Sequence, residues 1–83
     1  MAIKAFVLVE VAVGKTKDVL DALKKLEPVR SVDAVTGPYD VIAVVEAADL
    51  NAIGELITNQ IHKVQGILRT VTCLSDLSIH GTS

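Results

Sequence analysis

Hydrophobic residues recur along this chain with two periods, one typical of strands and one typical of helices. Four segments are rich in β-branched residues or alternate apolar and polar positions, and two have apolar residues spaced by three or four. The predicted elements are a strand at 3–11, a helix at 16–27, strands at 29–36 and 40–47, a helix capped by Asp49, and a strand at 67–74. This order, βαββαβ, is the ferredoxin-like pattern. It predicts an α+β fold in which a four-stranded antiparallel sheet has both helices on one face.

Local signals set the ends of the first helix. We expect Thr16 to cap it and Pro28 to end it, and Asp21 and Lys25 to form a favourable pair four residues apart. The apolar stripe of this helix is Val19, Leu20, Leu23 and Leu26. These signals predict an amphipathic helix with a solvated face rich in lysine.

The second helix has similar signals. Asp49 is its expected cap, and Gly66 is the expected glycine after its last turn. Its predicted apolar stripe is Leu50, Ile53, Ile57, Ile61 and Val64. We read His62, one position beyond Ile61, as a solvated surface residue. The tail, residues 75–83, is expected to add a short edge strand.

Both faces of the central strands are apolar at their middles. Alternate residues of a strand point to opposite faces, and one face of the first strand consists of Ile3, Ala5, Val7, Val9 and Val11. The other face has Phe6 and Leu8 between charged residues, and the third strand has Ile42 and Val44 in the same arrangement. A sheet with one solvated face would have polar residues at these central positions. We therefore predict that these four residues form a homodimer interface against the same sheet of a second copy.

The energy of burial favours the dimer. Covering four such side chains is worth about 1.5–3 kcal/mol each, which rivals the few kcal/mol of stability that a small domain has. A two-fold pair is the commonest symmetry. The alternative, strand-forming residues on an exposed face, is less favoured because two strands repeat the same pattern.

Composition points to one small domain, residues 1–83, with more apolar surface than it can bury alone. Hydrophobic residues make up 51% of the chain and the mean hydropathy is +0.51. A chain of this length buries only about 60–65% of its unfolded surface, and large exposed apolar patches mark interaction sites. This supports self-association.

Charge and cysteine content exclude several classes of protein. The formal net charge is −2 and the eight Lys and Arg residues form no basic run, so direct binding of nucleic acid, which depends on phosphate neutralisation, is not expected. Cys73 is the only cysteine, which rules out an internal disulfide, and we expect it to be buried. No uncharged apolar stretch reaches membrane-spanning length. We expect a cytoplasmic protein without metal or cofactor.

Two motifs give the chain a resemblance to a known family. A Gly-x-Tyr-Asp turn is followed by a Gly-hydrophobic-x-x-Thr-x-Thr strand, and the motif residues are Gly37, Tyr39, Asp40, Gly66, Ile67, Thr70 and Thr72. In a βαββαβ order this resembles the effector domain, or RAM domain, of the Lrp/AsnC feast/famine regulators. The resemblance covers residues 3 to about 79 and implies a dimeric α/β-barrel, often assembled into octamer-like rings. Regulators of this family have a helix-turn-helix domain before this one, and here the first strand follows Met1 almost at once, so we expect a stand-alone domain.

The resemblance also implies a ligand site. Its candidate residues are Gly37, Tyr39, Asp40, Thr70 and Thr72. A glycine amide suits an α-carboxylate, an aspartate pairs with an α-ammonium, and threonine hydroxyls donate or accept. The alternative is structural: Gly-Pro is a good turn, Asp can bond turn amides, and Thr is an ordinary strand residue.

Three functions remain open from the sequence. The first is a non-enzymatic module that binds a small effector, expected to be an amino acid, and assembles with itself or with full-length Lrp/AsnC regulators. The second is a small dimeric enzyme of the monooxygenase or isomerase type, which would need a polar residue inside the barrel. The third is an assembly module without a ligand. The apolar centre of the sheet face argues against the enzyme.

Overall fold

The structure, a computed structural model, describes residues 2–75. Its elements are β1 (Ile3–Val11), α1 (Thr16–Lys24), β2 (Val29–Ala34), β3 (Val41–Ala47), α2 (Leu50–Leu56), a π-helical turn (Ile57–Ile61) and β4 (Ile67–Leu74). The βαββαβ order predicted from the sequence is confirmed. The edge strand expected in the tail, with Leu77 and Ile79, lies outside the described residues.

The four strands form one antiparallel sheet in the order β2-β3-β1-β4. The two most apolar strands, β1 and β3, are therefore central, and β2 and β4 are the edges. In the central pair, Phe6 lies opposite Val44 and Leu8 lies opposite Ile42. The four residues predicted to form an interface thus make one contiguous block on one face of the sheet.

The hydrophobic core lies between the sheet and the helices. Its buried members alternate along β1 and β3 and are joined by residues of α1, α2 and the π turn: Ala5, Val7, Val9, Val11, Val19, Leu23, Val41, Ala43, Val45, Ile53, Leu56 and Ile61. The period-two pattern of the strands explains this alternation. The helices cover the face that the sequence assigned to them, and we call the other face of the sheet the open face.

Helix α1 differs from the prediction at both ends. Lys15 holds the N-cap position without a side-chain cap bond, and Thr16 is already the first helical residue. The helix ends at Lys24 rather than at residue 27, because the chain then tightens into three-residue turns in which the N–H of Leu26 donates to the carbonyl of Leu23 at 3.1 Å. Only the end of the apolar stripe is affected, since Val19 and Leu23 are buried as predicted.

The predicted ion pair of α1 is also different. Asp21 Oδ2 accepts a hydrogen bond from Lys17 Nζ at 2.9 Å, so the acid pairs with the lysine one turn before it and not with Lys25. The contact lies on the exposed surface.

The second helical segment begins as predicted and then changes geometry. Asp49 caps α2 by accepting a hydrogen bond from the N–H of Ala52 at 2.8 Å. Leu50, however, is 56% exposed, and Leu56 is buried instead. After Leu56 the helix widens into the π turn, in which the N–H of His62 donates to the carbonyl of Ile57 at 2.8 Å. The regular spacing of apolar residues in the sequence does not reveal the extra residue in this turn.

Gly66 was predicted to follow the last helical turn directly, but the π turn ends at Ile61, so Gly66 instead lies in the loop before β4. Its φ is +100°, a region that favours glycine, and its carbonyl accepts a hydrogen bond from the N–H of Ala12 at 2.7 Å. The bond joins the loop after β1 to the loop before β4.

Cys73 is exposed, and the expectation that it is buried was wrong. It lies on the edge strand β4, directly opposite Phe6 of β1, and so belongs to the open face. Edge position leaves it with a strand neighbour on one side only.

Candidate functional site

The turn at residues 37–40 is fastened to the end of β1. The backbone N–H of Asp40 donates to the carbonyl of Val9 at 2.9 Å, and its carboxylate oxygen Oδ2 accepts from the N–H of Val11 at 2.8 Å. Gly37 has a φ of +132° and open space around it, so its role as a glycine is conformational. The turn therefore presents Tyr39 from a fixed position at one end of the sheet.

Tyr39 contacts the far edge strand through an arginine. The guanidinium carbon of Arg69 lies 5.8 Å from the centroid of the Tyr39 ring, within cation–π range. The Nε of the same arginine is 3.4 Å from Oε1 of Glu10, its partner across the β1–β4 pair. Tyr39, half-buried, is thus part of a row of three side chains that runs from the turn to β4.

Thr70 and Thr72 lie on the other side of β4. They are opposite Val9 and Val7, whose side chains point to the helices, whereas Arg69 is opposite Glu10 on the open face. Thr70 is half-buried and Thr72 is exposed. Within one protomer, the structure therefore places the Tyr39 contact and the two threonines on opposite faces of β4.

A pocket of about 400 Å³ lies between the π turn and the start of β4. Its lining residues are Ile57, His62, Ile67, Leu68, Arg69 and Thr70. Nε2 of His62 is hydrogen-bonded to Oγ1 of Thr70 at 3.0 Å. The sequence correctly indicated that His62 is exposed, but it gave no sign of this bond, because the π turn that brings the ring to β4 leaves no signal in the hydrophobic spacing.

The open face supplies the candidate interface. Phe6, Leu8, Ile42 and Val44 are half-buried, whereas the residues that alternate with them are fully buried. On β4, Val71 lies opposite Leu8 and is 37% exposed, so the apolar block extends beyond the four predicted residues.

The rim of the open face is charged. The ammonium of Lys4 lies 5.3 Å from the centroid of the Phe6 ring, and Arg30 Nε lies 3.4 Å from Oε1 of Glu46. Both contacts lie at the opposite end of the sheet from the Glu10–Arg69 pair. The face is thus apolar in the centre and ionic at both ends.

Other kinds of site find no support in residues 2–75. In this part of the chain no three His, Cys, Asp or Glu side chains are grouped as metal ligands would be. No described helix has the length and apolar character needed to cross a membrane.

This fold and site define a small ferredoxin-like domain with one uncovered apolar sheet face, and comparison with known proteins gives the family. The Lrp/AsnC ligand binding domain matches residues 4–75. The chain belongs to the Lrp/AsnC family through this domain.

Two relatives illustrate the match. An uncharacterized HTH-type transcriptional regulator of Pyrococcus furiosus is 31% identical over 63 residues, which are 76% of this chain and 42% of the relative. The chain thus spans less than half the length of the curated relatives it matches. The crystal structure of TTHA0845 from Thermus thermophilus superposes with a TM-score of 0.85 at 34% identity, over 89% of this chain and 92% of that chain.

A more distant match is a structure with a bound ligand. The transcriptional regulator NMB0573 of Neisseria meningitidis, solved as a complex with L-Met, matches 93% of this chain and 51% of its own, with a TM-score of 0.83 and 19% identity. At this identity the likeness shows the shared fold alone.

Proposed function

We propose that this chain is an effector-binding assembly module of the Lrp/AsnC type, which binds a small amino acid and responds by changing how its copies associate. The observation that carries the proposal is the match of the Lrp/AsnC ligand binding domain to residues 4–75, in a fold whose sheet has one uncovered apolar face. The family is one of regulators, so we infer a binding role and no catalysis.

The first part of the proposal is a homodimer formed by two open faces. Phe6, Leu8, Ile42 and Val44 would pack against the same residues of a second copy, with Val71 extending the contact. Burial of apolar area contributes about 25 cal/mol per Å², while the ion pairs at both ends of the face stay at the rim, where exposed pairs contribute little. The apolar centre and the charged rim therefore both favour a sheet-to-sheet pair.

The second part is the effector site. Within one protomer the Tyr39 ring contacts Arg69 on the open-face side of β4, whereas Thr70 and Thr72 lie on the other side of this strand. One ligand could meet both groups only where two protomers adjoin, so their arrangement supports a site between dimers in a higher oligomer such as a ring. The regulator solved with L-Met makes an amino acid the first class to test.

The mechanism would be a shift of populations. A ligand bound in a cleft between dimers stabilises the assembly that contains the cleft, by the difference in its affinity for the two states. If the chain also associates with full-length regulators, the same shift would change how many DNA-binding domains each particle presents. The chain itself is expected to make no contact with DNA.

The enzyme alternative gains no support from the site. A catalytic barrel would need a polar group at the middle of the open face, and the middle positions are aliphatic or aromatic, with Phe6 opposite Val44 and Leu8 opposite Ile42. We therefore do not favour it.

The proposal is tested by native mass spectrometry together with calorimetry. Each of the common amino acids is titrated into the wild-type chain, and the distribution of oligomers is recorded with and without the best binder. Thr72→Val, which removes an exposed hydroxyl, is expected to weaken binding, whereas Thr58→Val, an exposed threonine of the π turn, should bind like wild type. No heat with any amino acid and an unchanged mass distribution would leave an assembly module without an effector.

A further inference from the structure

The π turn places the side chain of His62 beside the edge strand β4. The N–H of His62 donates to the carbonyl of Ile57, five residues earlier, at 2.8 Å, and π turns occur often at functional sites. An α-helical turn holds one residue fewer and would leave the His62 ring at a different angle around the axis. In the observed geometry Nε2 of His62 lies 3.0 Å from Oγ1 of Thr70.

The pocket beside this pair has apolar walls and few polar side-chain groups. Ile57, Ile67 and Leu68 are among its lining residues, and Leu68 is 64% exposed. Arg69 also lines the pocket, but its guanidinium group lies against Glu10 and the Tyr39 ring on the other side of the strand. The imidazole and the threonine hydroxyl are therefore the polar side-chain groups that this pocket offers a ligand.

We propose that His62 and Thr70 form a carboxylate-binding pair, with the aliphatic part of the ligand lying against Ile57, Ile67 and Leu68. The volume of about 400 Å³ suits a small molecule. The ligand class is thus an aliphatic carboxylate, whether free or as part of an amino acid.

The chemistry of the pair makes this binding depend on protonation of the imidazole. When unprotonated Nε2 accepts the hydrogen of the Thr70 hydroxyl, that hydrogen is not available to a ligand. In the protonated ring both nitrogens donate, so Nε2–H donates to Oγ1 of Thr70. The Thr70 hydroxyl can then donate its own hydrogen bond to the ligand carboxylate. Protonation of His62 thus adds a positive charge with either tautomer of the neutral ring, and it also frees the hydroxyl donor where the neutral ring carries its hydrogen on Nδ1.

The charged groups around the pocket agree with this assignment. On the elements that frame it, Glu55 lies in α2, Lys63 follows His62, and Arg69 on β4 is paired with Glu10 on the open face. None of the six lining residues is acidic. A ligand carboxylate would therefore meet no like charge in the pocket, and its affinity should be higher when the imidazole is protonated.

The carboxylate-binding pair deepens the proposed function because Thr70 belongs both to the pair and to the proposed effector site. Only the identity of the natural ligand rests on the proposed function. The test uses isocaproate as the probe and isocaproamide as its uncharged analogue. NMR signals of the two histidine rings are followed against pH with and without each compound, and His80 is the internal reference. Isocaproate should move the titration midpoint of His62 upward and leave that of His80 unchanged, and the amide should move neither.

Variants separate charge from shape. Above the His62 midpoint the affinity for isocaproate should fall in the wild type, by at most about tenfold per pH unit. His62→Gln keeps a hydrogen-bonding side chain but no titratable charge, so its affinity should be lower and independent of pH. Thr70→Val should weaken binding, and Thr58→Val should not.

The outcomes distinguish the two proposals. A His62 midpoint that saturating isocaproate does not move, or that isocaproamide moves equally, overturns the carboxylate pair. If isocaproate shifts His62 but no amino acid binds the chain, the pair is upheld and the amino-acid effector role fails. If an amino acid binds wild type and His62→Gln equally at every pH, the effector role is upheld and the pair fails.

Discussion

The carboxylate of Asp40 accepts a hydrogen bond from the backbone N–H of Val11 at 2.8 Å, across a separation of 29 residues. The bond falls where the β1–β4 register shifts, between Glu10 and Val11. The backbone of Asp40 also binds, because its N–H donates to Val9 and its carbonyl accepts from Val35, both at 2.9 Å. One acidic residue thus fastens the turn to the central strand.

We predict that Asp40→Ala destabilises the fold. Val11 is 8% exposed, and a buried donor that loses its partner costs about 1–3 kcal/mol. Urea unfolding followed by circular dichroism measures the change in the free energy of unfolding. A loss well under this range would mean that water replaces the carboxylate.

Asp40→Asn is the matched control for the ligand role of this residue. Its side-chain oxygen can still accept from Val11, so most of the stability should remain, but the negative charge is gone. If Asp40 pairs with the ammonium of an effector, binding measured by calorimetry should weaken in a variant that is still folded. Equal affinity in Asp40→Asn and wild type would assign Asp40 a structural role only.

Gly66→Ala is expected to be destabilising, by about 1–3 kcal/mol. The φ of +100° is unfavourable for alanine, and the new Cβ would lie 2.9 Å from Cβ of Lys15 and 3.1 Å from Cγ2 of Val19. Gly54→Ala, within α2 and with open space around its Cα, should instead stabilise by about 0.5–1 kcal/mol. Thermal unfolding of both variants gives the comparison, and changes of the same sign would contradict it.

Leu8→Glu is expected to shift the chain from dimer to monomer. The charge would stand in the middle of the proposed interface, opposite Ile42 and Val71, where burial without a partner is costly. Sedimentation equilibrium at micromolar concentration measures the association. Val13→Glu, at a fully exposed loop position, should associate like wild type, and a wild-type chain that is monomeric at this concentration would refute the dimer.

The Lys17–Asp21 pair gives a prediction about pH. The hydrogen bond from Lys17, and then its positive charge, hold the pKa of Asp21 below its ordinary value, and the same hydrogen bond raises the pKa of Lys17. The stabilisation of the fold by Asp21 is therefore fully present when the pH is above the ordinary carboxyl pKa, and it is lost as the pH falls through the lowered pKa. The stabilisation by Lys17 is fully present when the pH is below the ordinary lysine pKa, and it is lost as the pH rises through the raised pKa.

Lys17→Met should accordingly raise the pKa of Asp21, as measured by NMR of its carboxyl carbon. Lys25→Met should raise this pKa less, since the Lys25 charge is the smallest of the effects on Asp21. Neutral-pH stability should change little because both side chains are exposed. A larger effect from Lys25 would restore the pairing expected from the sequence.

Much of the fold follows from short-range patterns. The alternation along β1 separates Val7 and Val9, which are buried, from Phe6 and Leu8, which are not, because successive side chains of a strand point to opposite faces. Strand order and the exposure of Cys73 depend on long-range pairing. A strand's own residues do not reveal that it will be an edge.

Less of the candidate site than of the fold could be predicted from the sequence. The Gly-x-Tyr-Asp motif located the turn, and turn chemistry suggested that Asp40 could bond nearby amides, but its actual partner, Val11, is distant in sequence. The bond between His62 and Thr70 depends on the π turn. Apolar spacing of three to four fits an ordinary helix equally well and so could not indicate it.

The π turn also suggests how this architecture could diversify. The hydrogen bond from the N–H of His62 to the carbonyl of Ile57 spans one residue more than an α-helical hydrogen bond. Deleting a single residue from 57–61 would let the segment rewind and present a different side chain to β4, while the sheet beneath stayed the same. Among sequences of this fold, a change in the length of this segment by one would then alter ligand preference more sharply than most substitutions.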